Sequence, residues 1–334
     1  MLQIFYHFGK FFNSPQSTTC VDNRKHQELT ASDSAAPCGG ATKMVDVQAV
    51  ADLFKKLTTG GDAQASVSEI AALVKDNGPA VLASAGIANK LKDAMEDSKS
   101  AEAREGALQA LAALSENPLT EPYLTSLLPV VLERLADKVG SVRTAAEASL
   151  LAVCGNASPY SVERITTVLY EGMAMARNWQ TKVGALNGLK QLTKTGPRQI
   201  ARCLPDIVPK VTECFADAKE QVKAAAKEAT TACFLVNGNR DIEKFVPELV
   251  SCIARPAETT DCIHKLAATT FVQQVEAAPL AIIVPLLVRG LRERTTAIKR
   301  KSCVIIDNMA KLVDNPADAA PFLPKLIPEL EKVK

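Results

Sequence analysis

The chain is short of nearly everything that marks a metal site, a disulfide framework or a β-sheet. Aromatic residues are only 4% of its 334, with a single tryptophan, which disfavours sheets, since strands draw on aromatic and β-branched side chains. Three histidines and nine cysteines include no C-x-x-C pair. Neither a zinc framework nor a secreted disulfide scaffold is encoded, and the cysteines read as small buried apolar residues of a reducing compartment. No apolar run approaches the roughly 20 residues needed to cross a bilayer. A formal net charge of only +2 excludes a protein that coats DNA through bulk charge. The expectation is a soluble, cytoplasmic chain with no metal, no cofactor, no membrane and no DNA partner.

What is present favours closely packed helices. Hydrophobic residues at 47% against 23% charged can form a large core, and Ala and Leu dominate it, so the fold class expected is all-α. The first 43 residues stand apart. MLQIFYHFGKFFNSPQSTTC is aromatic-rich and the stretch after it has no sustained period, while Asp22, Glu28 and Asp33 argue against an organellar presequence. Residues 1–43 are expected to be a disordered or artefactual N-terminal extension, with Met44 opening the folded part.

The remainder repeats. In LLPVVLERLAD, IVPKVTECFAD, FVPELVSCIAR, IVPLLVRGLRE and FLPKLIPELEK the prolines fall at 129, 209, 247, 285 and 324, with gaps of 80, 38, 38 and 39. The long gap holds a unit in which Val168 replaces the proline. Val131, Val211, Leu249, Leu287 and Leu326 follow each proline by two, and Leu135, Phe215, Ile253, Leu291 and Leu330 by six, a four-residue pair that forms one stripe of a helix. A second column is basic: Arg104, Arg143, Lys182, Lys223, His264 and Lys299, each followed three residues on by Ala107, Ala146, Ala185, Ala226, Ala267 or Ser302. Each unit is thus a helix A, a turn and a helix B. Such a hairpin buries its stripe only by stacking, which predicts a HEAT/armadillo-like solenoid wound as a right-handed superhelix. The array is expected over 44–334, with an N-terminal cap at 45–83, six units over 84–316 and an incomplete final unit at 317–334.

Catalytic signals are weak, so no enzyme is expected. GALNGLK at 184–190 has the wrong spacing for a phosphate loop and sits inside a helix B. His264 lacks Asp and nucleophile partners at motif spacing. The basic column reads as a ladder of contacts to the turn acids Asp97, Asp137 and Asp217, linking stacked units, and Trp179 as a wedge between turns, with a ligand platform as its other reading. From Arg289 the chain runs RGLRERTTAIKRKSCVIIDNMAKL. Leu291, Ile298 and the run 304–306 are expected in the core. Arg289, Arg292, Arg294, Arg300 and Lys301 exceed what one turn needs; they form either a solvated face or a set of phosphate contacts.

RGLRERTTAIKRKSCVIIDNMAKLVDNP, followed by APFLPKLIPEL, closely resembles the N-terminal HEAT domain of elongation factor 3, the fungal-type translation factor. NRDIEKFVPELVSCIARPAETTDCIHKLAATTFV at 239–272 resembles the preceding unit, and KEQVKAAAKEAT, NWQTKV and LFKKL match more loosely. The resemblance implies docking on the ribosome, through ribosomal RNA and ribosomal proteins, and proximity to other translation factors. In that family two ATP-binding cassettes further along power release of deacylated tRNA. No Walker A or signature motif occurs here, so ATPase activity is not implied for this chain, which is expected to be part of a longer ATPase. The alternative is a HEAT adaptor for protein partners, of the tubulin-binding or starvation-kinase activator type.

Overall fold

A computed structural model describes residues 47–58, 63–174 and 176–333; the reading of residues 1–43 lies outside them. The described residues form an all-α repeat solenoid without strands. Its main helices are α1 (Val47–Thr58), α2 (Ala63–Asn77), α3 (Ile87–Glu96), α4 (Ala101–Leu114), α5 (Leu128–Arg134), α6 (Gly140–Gly155), α7 (Val162–Met173) and α8 (Trp179–Thr195). They continue with α9 (Pro197–Cys214), α10 (Glu220–Leu235), α11 (Val246–Ala254), α12 (Thr259–Ala267), α13 (Ala277–Arg292), α14 (Thr296–Lys311) and α15 (Leu323–Val333).

The two sequence columns explain the two layers. Val131, Val211, Leu249, Leu287 and Leu326 are buried, as are Leu135, Leu291 and Leu330, whereas Phe215 and Ile253 are half-buried. In the other layer Ala107, Ala146, Ala185, Ala226 and Ser302 are fully buried, which lets α4, α6, α8 and α10 stack closely. The repeated proline takes two places. Pro129 and Pro247 occupy the first turn of α5 and α11, where no backbone donor is lost. Pro209 and Pro285 lie inside α9 and α13, where each removes one intrahelical bond.

The stack is irregular at α11 and α12. Both are nine residues long, too short to span their layer, and α9 packs directly on α13 while α11 lies against α10, α12 and α13. The columns fail there for that reason: Ala267 is only half-buried and His264 is exposed. The non-helical stretch 268–276 crosses the gap and is pinned by polar contacts. Asp241 Oδ2 accepts the Val272 and Gln273 N–H groups at 2.8 and 2.9 Å, and the Val275 N–H reaches the Leu312 carbonyl at 2.9 Å.

Candidate docking surface

The turns between paired helices are built alike wherever they carry an aspartate. Asp97, Asp137 and Asp217 each accept, at Oδ1, the N–H two residues on, at 2.8, 2.9 and 2.9 Å, closing a side-chain turn that stops one helix and starts the next. The basic column feeds into these turns from the unit before. Arg104 grips Asp137 through two bonds, Nε at 2.9 Å and Nη2 at 3.1 Å, and its Nη1 reaches the Asp97 carbonyl at 2.7 Å. Lys182 Nζ meets Asp217 Oδ2 at 2.6 Å. Both pairs are shielded, with side-chain exposures of 8% and 6% in the first and 7% and 9% in the second. Burial pushes the Asp137 carboxyl up, but the Val139 N–H and the Arg104 and Arg134 charges outweigh it and hold the group below its ordinary range. The Lys182 hydrogen bond does most to lower Asp217.

The column is not a continuous ladder. Arg143 finds no acid in the following turn, 174–178, and donates to the carbonyls of Asp137 and Lys138 at 2.8 and 3.1 Å. Lys223 turns to Glu220 at 2.7 Å on its own helix, because the next turn offers Arg255. His264 contacts Lys301 and no acid. Lys299 is half-buried without an acidic partner. Gly184 occupies a tight contact, since a Cβ there would lie 2.6 Å from Leu135 Cδ1; GALNGLK is packing, inside α8.

The cluster from Arg289 to Lys301 divides in the same way. Arg289 is half-buried and donates to the Cys252 carbonyl at 2.7 Å, closing the end of α11. Arg292 is exposed yet bound to Glu329 at 2.8 Å, and Glu329 also meets Lys332 at 3.0 Å. Hydrogen bonds from Arg292 and Lys332 hold the Glu329 carboxyl below its usual range. Lys301 leans on His264. Arg294 and Arg300 alone of the five are exposed with no polar partner. Leu291, Ile298, Ile305 and Ile306 are core, but Val304 is 47% exposed, since the helical period of α14 carries it outward. Trp179 opens α8 and is 37% exposed.

Beside this cluster runs a groove of about 480 Å³ along α9, α13 and α15, walled by Pro205, Pro209, Pro285, Pro324 and Pro328, with Arg292, Lys325 and Glu329 at its rim. Sequence reasoning missed it, because it exists only where α9 meets α13 across the shortened unit. Among the described residues there is no group of acids, histidines and cysteines that could hold a metal ion, and no helix long and apolar enough to cross a membrane.

Two family models match the chain: EF3 N-terminal HEAT repeat over residues 63–230, and Elongation factor 3/GNC1 HEAT repeat over 257–334. The stretch between them contains α11, where the stack is irregular. The chain is 43% identical to elongation factor 3 of Gonapodya prolifera over 313 residues, which cover 92% of this chain and 28% of that protein. It is 50% identical to elongation factor 3 of Phytophthora infestans over 213 residues, 64% of this chain and 20% of that one. It therefore spans between a fifth and three tenths of the length of these relatives. Among solved structures, the TOG domain array of crescerin, which regulates microtubules in the primary cilium, aligns at 18% identity and a TM-score of 0.45, over 68% of this chain and 93% of that one.

Proposed function

Because this chain belongs to the elongation factor 3 N-terminal HEAT repeat family, we propose that it is a ribosome-binding module acting in translation elongation in the cytoplasm, and that it belongs to a longer ATPase whose chemistry is carried elsewhere. Both matched families describe HEAT repeats, which supports a binding part over a catalytic one. We take 44–334 as that module, capped at 45–83 and ending in a partial unit at 317–334. The observation that carries ribosome docking, beyond membership, is the pair Arg294 and Arg300: exposed guanidinium groups with no internal partner, in a region where every other basic side chain but Lys299 is engaged. Clustered guanidinium groups on a rigid turn suit phosphate.

Co-sedimentation of the full chain with purified ribosomes across a salt series tests this. Binding should weaken as salt rises, and Arg294→Glu with Arg300→Glu should lower the salt slope by about 1 per lost phosphate contact. Failure to pellet with ribosomes at low salt refutes the proposal. The alternative, an adaptor for protein partners, has the proline-walled groove in its favour; an apolar groove of that kind would bind with little salt dependence.

A further inference from the structure

The turn acids and their neighbours have opposite fates. Asp137 and Asp217 are held inward by the preceding unit's cation and by their own turn backbone. A basic residue one or two positions on, Lys138 or Lys219, is exposed. Lys99, Lys138, Arg177 and Lys219 lie in the four successive turns α3–α4, α5–α6, α7–α8 and α9–α10, at intervals of 39, 39 and 42 residues. All four are exposed, and none makes an ion pair. Two of the acids nearby are engaged elsewhere: Glu102 takes the Ser100 hydroxyl at 3.2 Å and Glu220 pairs with Lys223 at 2.7 Å. The row stops at the irregular unit, where Arg255 is paired with Glu258 at 2.9 Å. Beside Arg177, on the same edge, stands Trp179.

We propose that this turn edge is an RNA-docking rim that seats a single-stranded segment of ribosomal RNA, with phosphates on Lys99, Lys138, Arg177 and Lys219 and one unpaired base stacked on Trp179. The inference rests on the ribosome-binding reading above and moves the main contact from the cluster near Arg294 to the four turns that precede the irregular unit. Packed helices lie about 10 Å apart, so four turns lay out a row of about 30 Å, within the span of the several-nucleotide tracks that single-strand binders hold. Regularly placed cations with an interleaved aromatic face combine the two elements such sites use, backbone neutralisation and base stacking. An acidic peptide would use the cations and leave the indole idle; the aromatic therefore favours RNA.

The test uses the full chain, a fluorescein-labelled 16-nucleotide single-stranded RNA of mixed sequence, poly-glutamate as competitor, and purified ribosomes. Trp179 is the chain's one tryptophan, so its emission reports stacking without any substitution. RNA should quench it and poly-glutamate should not. The variant Lys99→Glu, Lys138→Glu, Arg177→Glu, Lys219→Glu should bind RNA at least tenfold more weakly, with a salt slope reduced by about 3, taking about 0.7 per single-strand phosphate. Trp179→Ala should weaken binding by about 5- to 150-fold, the equivalent of one base stack. The control Arg164→Glu, Arg198→Glu, Arg202→Glu, Lys210→Glu makes the same charge change on exposed residues of α7 and α9 and should retain binding. Equal loss in control and turn variants, unquenched Trp179 emission with bound RNA, or poly-glutamate displacing RNA would each overturn the rim. If the wild type pellets with ribosomes and the turn variant pellets equally well, the rim fails alone; if the wild type binds neither ribosomes nor RNA, both readings fail.

Discussion

Replacing Lys182 by Met tests how far the stack depends on charge pairing between units. The substitution keeps the aliphatic stem and removes the ammonium, leaving Asp217 with only the Lys219 N–H as donor. Both side chains are under a tenth exposed, so the carboxylate would be left shielded without a cation. Breaking a buried pair from one side typically costs about 3 to 5 kcal/mol; with Oδ1 still hydrogen-bonded, the lower end, about 3 kcal/mol, is expected. Asp217→Asn preserves an acceptor for the turn, and the double variant Lys182→Met, Asp217→Asn removes both charges. It should be less destabilised than Lys182→Met alone, giving a coupling of about 2 kcal/mol in the cycle.

Repeat arrays unfold by units, so the readout should be local: native-state hydrogen exchange of amides in α8 and α10, compared with α4 and α14, together with urea midpoints by circular dichroism. The pH dependence carries its own sign. The Asp217 carboxyl is held below its ordinary value of 3.8, chiefly by the Lys182 hydrogen bond. Its contribution is therefore complete above that value and is lost as pH falls through the lower, folded value. Lys182→Met should remove this acid-sensitive component. Unchanged exchange in α8 and α10, or a coupling below about 0.5 kcal/mol, would show that the pair is held by surrounding packing and does not secure the interface.

Ala185→Leu should cost about 1 to 3 kcal/mol by overpacking, because Ala185 is fully buried and a Cβ on facing Gly172 would already lie 2.9 Å from its own Cβ; a urea midpoint equal to wild type refutes the close approach. Gly290→Ala should destabilise the α12–α14 region by a similar amount, since the added Cβ would fall 2.3 Å from Ile263 Cδ1 and 2.4 Å from Ser302 Oγ; exchange rates there are the measure. Cys154 and Cys233 are fully buried, and burial pushes each thiol up to about 12. At pH 8 in the native state they should resist iodoacetamide while half-buried Cys203 is labelled before either of them. Peptide mass spectrometry decides, and equal labelling rates would mean the solenoid opens at those units.

The regular part of the fold was legible because its periodicity is the packing. A four-residue apolar pair and a small-residue column recur, and their members in α5, α6, α8, α10, α13 and α14 are buried, while in the α9 unit Val211 is buried and Phe215 half-buried. The shortened unit was legible only as a break at Arg255-Pro256. That two nine-residue helices would let α9 close onto α13 is a tertiary consequence, invisible in any one unit's pattern. The ladder shows the same limit. Its cations recur in every unit, but the acids needed to receive them occur at Asp137 and Asp217, are missing from the turn at 174–178, and in the turn at Arg255 the acid, Glu258, is taken by Arg255 itself. Column and pairing are separate properties, since one is read within a unit and the other requires two. In the cluster, Arg289 resembled its neighbours in sequence and differs only in having the end of α11 within reach.

Charge pairing and docking are thus complementary consequences of one turn design. A turn with an acid and an adjacent cation, met by a cation from the preceding unit, contains one positive charge too many for internal neutralisation. The pair that can be shielded is the one between units, because its geometry is fixed by the stack: Arg104 on Asp137 and Lys182 on Asp217. The turn's own cation, tethered beside the acid but directed along the edge, is left to solvent, as at Lys138 and Lys219. Stability and surface charge can then vary independently. Changes at Lys182 act on the interface between units, whereas changes at Lys138 or Arg294 leave every buried partner in place and alter only what the edge offers. An exposed charge contributes about 1 kcal/mol or less to folding, yet each phosphate it neutralises steepens the salt dependence of binding. A solenoid built this way keeps unpaired cations along one edge at a net charge of +2, while Asp137 and Asp217 are held by the cations of the preceding unit.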